Sequence, residues 1–185
     1  MPSAGLFYNK SMVKPIDEGR IMKLTVTQSL SLKQKWDIVG LWNLEFPKVL
    51  YLEGVPEFDR YLDSLSDKNH ILLTGADAAV KGWLVYFMRD GEQCFAMLLD
   101  ASLQGQGWGT RILELAKKRN SELVGWVIDN DNEFKRNGSY YKSPIAFYRK
   151  NGFKIQPDIR LEKKNISGIK VIWKKAGDQA DTVDV

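Results

Sequence analysis

The 185-residue chain has room for one domain with a single sizeable core, and its 44% hydrophobic and 27% charged residues exclude a disordered or fibrous protein. One cysteine, Cys94, and one histidine, His70, exclude an internal disulfide framework and leave a His/Cys metal site without ligands, so neither a metal nor an oxidising compartment is expected. The net charge of +4 is unaccompanied by any apolar run long enough to span a bilayer or to form a signal-peptide core, which points to a cytoplasmic setting with no membrane partner.

Residues 1–21 read either as a loose extension before the first strand or as an upstream start ahead of Met22. Met22 to Thr27 alternates apolar and polar residues, a strand pattern. From Ser31 to Glu45 the residues Trp36, Val39, Leu41, Trp42 and Phe46 recur near helical spacing, with Ser31 as cap and Pro47 as terminator. A shorter helix is expected from Pro56 to Leu65, with Phe58, Tyr61, Leu62 and Leu65 on one side. Buried-type strands follow at Ile71 to Thr74, Val80 to Met88 and Gln93 to Leu99. Asp90-Gly91 between the last two predicts a hairpin, because a type I′ turn needs two residues that tolerate positive φ.

Gln104-Gly-Gln-Gly-Trp-Gly109 then leads into a helix over Thr110 to Arg119, and a strand follows at Leu123 to Ile128. Asp129 to Lys142 is polar and reads as a loop bordering whatever site the sheet builds. Ser143-Pro144 suggests a helix start, Ser143 capping and Pro144 at the first helical position, with Gly152 ending that helix. Strands around Phe153 to Ile155 and Ile169 to Trp173 complete the fold. The tail 176–185 carries Asp178, Asp181 and Asp184 with no base and is expected to be disordered. Without it the body is three charges more basic. On charge alone, a solvated basic surface is favoured over an anionic partner.

The residues with most chemical content are Gly105, Gly107 and Gly109. They let backbone approach a ligand closely, just where the first N–H groups of a helix lack acceptors. A pyrophosphate is favoured there by the free donors and by the positive end of the helix dipole. A dinucleotide loop would use a third glycine where Thr110 stands, and would follow the opening strand of a parallel unit rather than the second arm of a hairpin, so that alternative is set aside. A nucleic-acid partner is not expected either: no recognition motif is present, and acids are interspersed with the bases.

Gln104-Gly-Gln-Gly107-Trp-Gly109 resembles the Gln/Arg-x-x-Gly-x-Gly/Ala signature of the GNAT acetyltransferases. Some forty residues on, Phe147-Tyr148-Arg-Lys-Asn-Gly152-Phe153 resembles the second element of that family. The shared order of elements runs from Met22 to Lys175, the expected acetyltransferase domain. The resemblance implies an α/β (α+β) fold, a mixed, largely antiparallel sheet flanked by helices and splayed between the fourth and fifth strands. It implies acetyl-CoA as co-substrate, with its pantetheine arm pairing in the splay against the edge of the strand Gln93–Leu99.

By the same resemblance, the cofactor would contact Gln104, Gly105, Gln106, Gly107, Trp108, Gly109 and Thr110, with Arg111 and Lys150 meeting phosphate charge and Phe147 adjoining. A backbone N–H at Leu98 or Leu99 would polarise the thioester carbonyl, and Tyr148 would be the general acid. The reading of Tyr148 as a packing aromatic stands beside that role. Amines near pKa 10 also require a base, for which Glu45 and Asp129 are the candidates, each more often an ordinary surface acid. His70 and Cys94 read as structural.

Two positions depart from the family pattern: Tyr141 and Pro144 stand where an Asn-x-x-Ala is common. Ser143 would replace the missing cofactor contact or only cap the helix. Trp42 and Trp126 read as core, which leaves Tyr140 and Tyr141 as loop aromatics. The implied activity is transfer of acetyl to a primary amine of a small molecule or peptide, by direct attack in a ternary complex; the alternative is a non-catalytic CoA-binding regulatory module. A homodimer is compatible with the chain, and neither the acceptor nor the oligomeric state is legible.

Overall fold

The computed structural model describes residues 21–163 and 166–177. The expectations for residues 1–20 and for the tail beyond Gly177 lie outside the described residues. The strands are β1 (Lys23–Thr27), β2 (Ser66–Thr74), β3 (Val80–Arg89), β4 (Glu92–Leu99), β5 (Glu122–Val127), β6 (Lys154–Lys163) and β7 (Ile166–Lys174). The helices are α1 (Leu32–Glu45), α2 (Val55–Asp63), α3 (Trp108–Arg119) and α4 (Ile145–Lys150), with 3₁₀ turns at Lys48–Leu50 and Ala101–Leu103. The strands form one sheet in the order β1-β2-β3-β4-β5-β7-β6. All neighbours are antiparallel except β4 and β5.

Local chemistry accounts for several boundaries. Ser31 forms a full capping box with Gln34: the Ser31 hydroxyl accepts from the Gln34 N–H, and the Gln34 side chain accepts from the Ser31 N–H. Between β3 and β4, Asp90 and Gly91 have φ of 52° and 80°, the paired positive values that the Asp-Gly turn predicts. Their hairpin continues in unbroken register from Arg89 opposite Glu92 to Gly82 opposite Leu99.

Both sheet faces are buried, which is why the central strands read as continuous apolar runs. One face carries α1 and α2, packing Ile38, Trp42 and Phe58 on Leu72, Trp83, Val85 and Leu98. The other carries α3 and α4, packing Ile112, Leu113 and Tyr148 with Leu73, Leu84, Phe95, Leu123 and Val171. Burying side chains of this size contributes about 1.5–3 kcal/mol each before entropy is counted. His70 lies in the first layer, 1% exposed, and accepts the Trp83 indole N–H at 3.1 Å.

Several expectations need correction. β2 begins at Ser66 rather than Ile71, and β6 extends to Lys163, because cross-strand pairing carries these ends through polar sequence. The first helix leaves Trp36 56% exposed. Trp126 is half-buried rather than core. α3 starts at Trp108, two residues before Thr110. Ser143 does not cap α4: the cap position is Pro144 and receives no side-chain bond, while the Ser143 hydroxyl donates to the Ile128 carbonyl at 2.7 Å. The polar loop also contains structure, since Phe134 and Tyr140 form a β-bridge closed by Lys135 N–H to Ser139 O at 2.9 Å.

Candidate active site

The parallel contact of β4 with β5 is a single register pair, Cys94 with Val124. Beyond it the strands part, and β4 from Phe95 to Leu99 keeps β3 on one side with no strand on the other. The Asp100 N–H donates to Lys81 O at 2.9 Å. Alternation along an antiparallel ladder therefore turns the Leu98 N–H toward β3 and the N–H groups of Met97 and Leu99 into the gap. Of the two amides expected to polarise a carbonyl, only that of Leu99 faces the opening. The Leu99 carbonyl accepts from Gln104 Nε2 at 3.1 Å, which fastens the glycine-rich loop to the end of the strand.

Gly105 and Gly107 take φ of 74° and 85°, left-handed values that favour glycine. Gly107 caps α3, and the first backbone bond of that helix runs from Arg111 N–H to Gly107 O. The N–H groups of Trp108, Gly109 and Thr110 thus have no acceptor within the helix. Gly109 serves a different purpose: a Cβ there would lie 3.0 Å from Phe147 Cζ and 3.4 Å from Met97 Cε. The loop, the open strand and α4 meet at this point. Gln106 donates its side-chain amide to Ser102 O at 2.6 Å, and the Arg111 guanidinium lies 4.6 Å from the Trp108 ring centroid. Lys150 is exposed in the last turn of α4.

Tyr148 stands on α4 with its ring edge-on to Phe95 at 5.7 Å and Phe153 at 5.3 Å. Lys117 on α3 donates to Asn151 O at 2.7 Å and so holds the end of α4 in place. Burial, reinforced by the nearby Tyr141 phenol, pushes the Tyr148 pKa well above the usual phenol value, so the hydroxyl keeps its proton at neutral pH. Among the described residues the Tyr148 hydroxyl has no hydrogen-bond partner, and the residue is 6% exposed. Tyr141 is itself pushed up to about 12 by burial.

Both acids expected as bases are engaged. Glu45 accepts the Ala101 N–H at 2.9 Å and pairs with Lys135 at 2.8 Å, the two side chains being 11% and 17% exposed. Asp129 holds Arg160 through two bonds of 2.8 and 3.1 Å, and that guanidinium lowers its pKa below the usual carboxylate range. Ser143 is spent on Ile128 O and on Asp131, which accepts its N–H at 2.8 Å. Cys94 is buried, and burial raises its thiol pKa. Among the described residues no group of three His, Cys, Asp or Glu side chains could hold a metal, and no helix is long and apolar enough to cross a membrane.

A seven-stranded mixed sheet opened between β4 and β5, with a glycine-rich helix start at the opening, is the fold of the GNAT acetyltransferases. Solved structures share it at low identity. An aminoglycoside 6'-N-acetyltransferase complexed with coenzyme A is 14% identical, with a TM-score of 0.60 over 82% of this chain and 96% of that one. A phosphinothricin acetyltransferase of the GNAT superfamily from Sinorhizobium meliloti, in complex with AcCoA, is 13% identical, with a TM-score of 0.57 over 86% and 97%. A spermidine N-acetyltransferase from Vibrio cholerae is 11% identical, with a TM-score of 0.58 over 83% and 93%. No protein-family model matches the chain, and no curated protein matches it in sequence.

Proposed function

We propose that this protein is an N-acetyltransferase that moves an acetyl group from acetyl-CoA to a primary amine. The observation that carries the reading is the convergence of an unpaired strand edge on β4 with the free amides that open α3. One offers alternating donors and acceptors to an amide-bearing arm, and the other offers donors and dipole to a diphosphate. The residues present fit the coenzyme: Gly105 and Gly107 leave the loop backbone accessible, and Arg111 adds positive charge beside it.

In this reading acetyl-CoA supplies an activated acetyl group as its thioester, and the chain supplies orientation and proton handling. Gln104 through Thr110 hold the diphosphate, with Arg111 and Lys150 as flanking charge and Phe147 bracing the loop through Gly109. The Leu99 N–H donates to the acetyl oxygen as charge grows there, while Leu98 anchors the strand from the opposite face. Tyr148 keeps its proton until it can donate to the departing sulfur. Glu45 borders the end of β4 and is the acid we retain as proton acceptor, working through water; Asp129, clamped by Arg160, is the poorer choice. The protein acts away from membranes and without nucleic acid.

The pairing of Glu45 and Asp129 with cations is the one observation that favours a non-catalytic, CoA-binding module. The test is thiol release from acetyl-CoA across a panel of primary amines, run beside Tyr148→Phe. Turnover by the native chain, falling by about 10²–10⁴ in the variant with acetyl-CoA affinity retained, supports the enzyme. Binding without turnover by either supports the module.

A further inference from the structure

Beyond the diverging ends of β4 and β5, on the face that carries α1 and α2, a further surface is tied to the end of β4 through the Glu45 bond to the Ala101 amide. The turn at 133–141 spans it. At one end Lys135 reaches Glu45 and through it the Ala101 amide after β4; at the other, Tyr141 leads through Ser143 and Pro144 into the helix of Tyr148. The Lys48 N–H donates to Phe134 O at 2.8 Å, docking this turn on the segment that follows α1. Tyr51, Phe134 and Tyr140 are exposed there, with the last two rings 4.7 Å apart. Strand alternation puts the half-buried Trp126 on the same face, opposite to Gly125.

Charge distinguishes this surface. Three of its acids are paired with the chain's own cations, Glu45 with Lys135, Asp129 with Arg160 and Asp131 with Lys142, while Glu133 has no cation partner among the described residues. Glu133 alternates with Phe134 and so falls on the Lys135 side of the turn. Two cations, in contrast, sit on rings. The Arg136 guanidinium lies 4.4 Å from the Tyr51 ring centroid and the Lys48 ammonium 5.8 Å from that of Phe134, and neither has a carboxylate partner among the described residues. A guanidinium that rests over an aromatic ring still has N–H donors to offer a carboxylate.

We propose that the acceptor is a small primary amine that carries a carboxylate beside an aromatic or apolar group. Tyr51, Phe134 and Tyr140 take the apolar part, and Arg136 with Lys48 takes the carboxylate. A polycationic acceptor would meet two unpaired cations, Arg136 and Lys48, against the single unpaired acid Glu133. This assignment rests on the acetyl-transfer reading above and specifies its substrate class.

The experiment uses the full chain with acetyl-CoA and three sets of amines: phenylalanine, tyrosine and tryptophan; their carboxamides, which keep the amine and lose the acid; and the polyamines spermidine and kanamycin. Acetyl-CoA affinity is measured first by calorimetry, so that failure of the cofactor reading is seen separately as absence of binding. The expected result is a kcat/KM at least about tenfold higher for the acids than for their amides, with polyamines slower still. Arg136→Gln and Lys48→Gln should raise KM about tenfold more for the acid than for its amide, with acetyl-CoA affinity unchanged. Normal acetyl-CoA binding with turnover of none of the acids, faster turnover of amides or polyamines, or equal KM effects on acid and amide would each overturn the proposal.

Discussion

The Phe95 ring lies directly against the α-carbon of Gly125, so that a Cβ on Gly125 would come within 2.8 Å of Phe95 Cε1. These residues follow Cys94 and Val124, the last pair that joins β4 to β5. A large ring on one strand and no side chain on the other thus occupy the apex of the divergence. Because Phe95 also packs edge-on against Tyr148, one ring touches both the apex of the opening and the proposed acid.

Gly125→Ala should therefore affect both stability and chemistry. The clash involves a core ring and the Val171 side chain at 3.2 Å, neither with room to retreat, and overpacking of this kind costs about 1–3 kcal/mol. Urea unfolding should show that loss, and thiol release should fall with it. Combining Gly125→Ala with Phe95→Leu should recover part of the stability; no recovery would show that the ring is not the obstacle.

Gly107→Ala and Gly109→Ala separate two uses of glycine. At Gly107 a methyl group meets nothing within 4 Å but must adopt φ of 85°, a strain of about 1 kcal/mol. At Gly109 the backbone is helical, and the methyl group instead presses on Phe147. Calorimetry should find weaker acetyl-CoA binding in both variants, with reduced turnover beyond the binding loss only in Gly109→Ala, whose clash displaces the helix of Tyr148. Equal behaviour of the two would refute the distinction.

The first helix, the hairpin turn and the glycine-rich loop were legible because each depends on neighbouring residues: the Ser31 cap, the Asp90-Gly91 turn and the alternate glycines ahead of α3 act within a few positions. What escaped depends on distant partners. Ser143 looks like a cap, yet its hydroxyl finds Ile128 O fifteen residues away, and Lys135 crosses ninety positions to Glu45. The early start of β2 and the late end of β6 likewise reflect pairing with neighbouring strands rather than their own sequence. For the site, the glycines stood out by type and spacing, whereas Tyr148 was singled out only through the family resemblance. The cations that occupy Glu45 and Asp129 had no local signal.

His70 predicts a pH dependence of stability. Burial, with the positive charges of Lys68 and Lys35, lowers its pKa from 6.5 to about 4. The unfolded chain then takes up a proton before the folded one, so the contribution is complete above about pH 6.5 and is lost as pH falls toward 4. Native stability should drop between pH 6.5 and 5 with a slope of up to about 1.4 kcal/mol per pH unit. His70→Gln, which keeps an acceptor near the Trp83 indole, should remove that part of the slope; an unchanged slope would assign it to other groups.

Lys135→Met should cost about 1–3 kcal/mol, since it leaves the largely enclosed Glu45 carboxylate with only the Ala101 amide. Glu45→Gln keeps the amide bond and should cost less. If Glu45 receives the amine proton, Glu45→Gln should also reduce kcat with acetyl-CoA affinity retained, whereas a purely structural role would leave kcat in place.

The free side of β4 is a strand edge enclosed within the molecule. An ordinary exposed edge invites any extended polypeptide, with self-association as the result. Here β5 and α4 stand beside it, so a chain that would pair with it has to enter between packed elements rather than dock from the side, and the fold itself guards the edge against self-association.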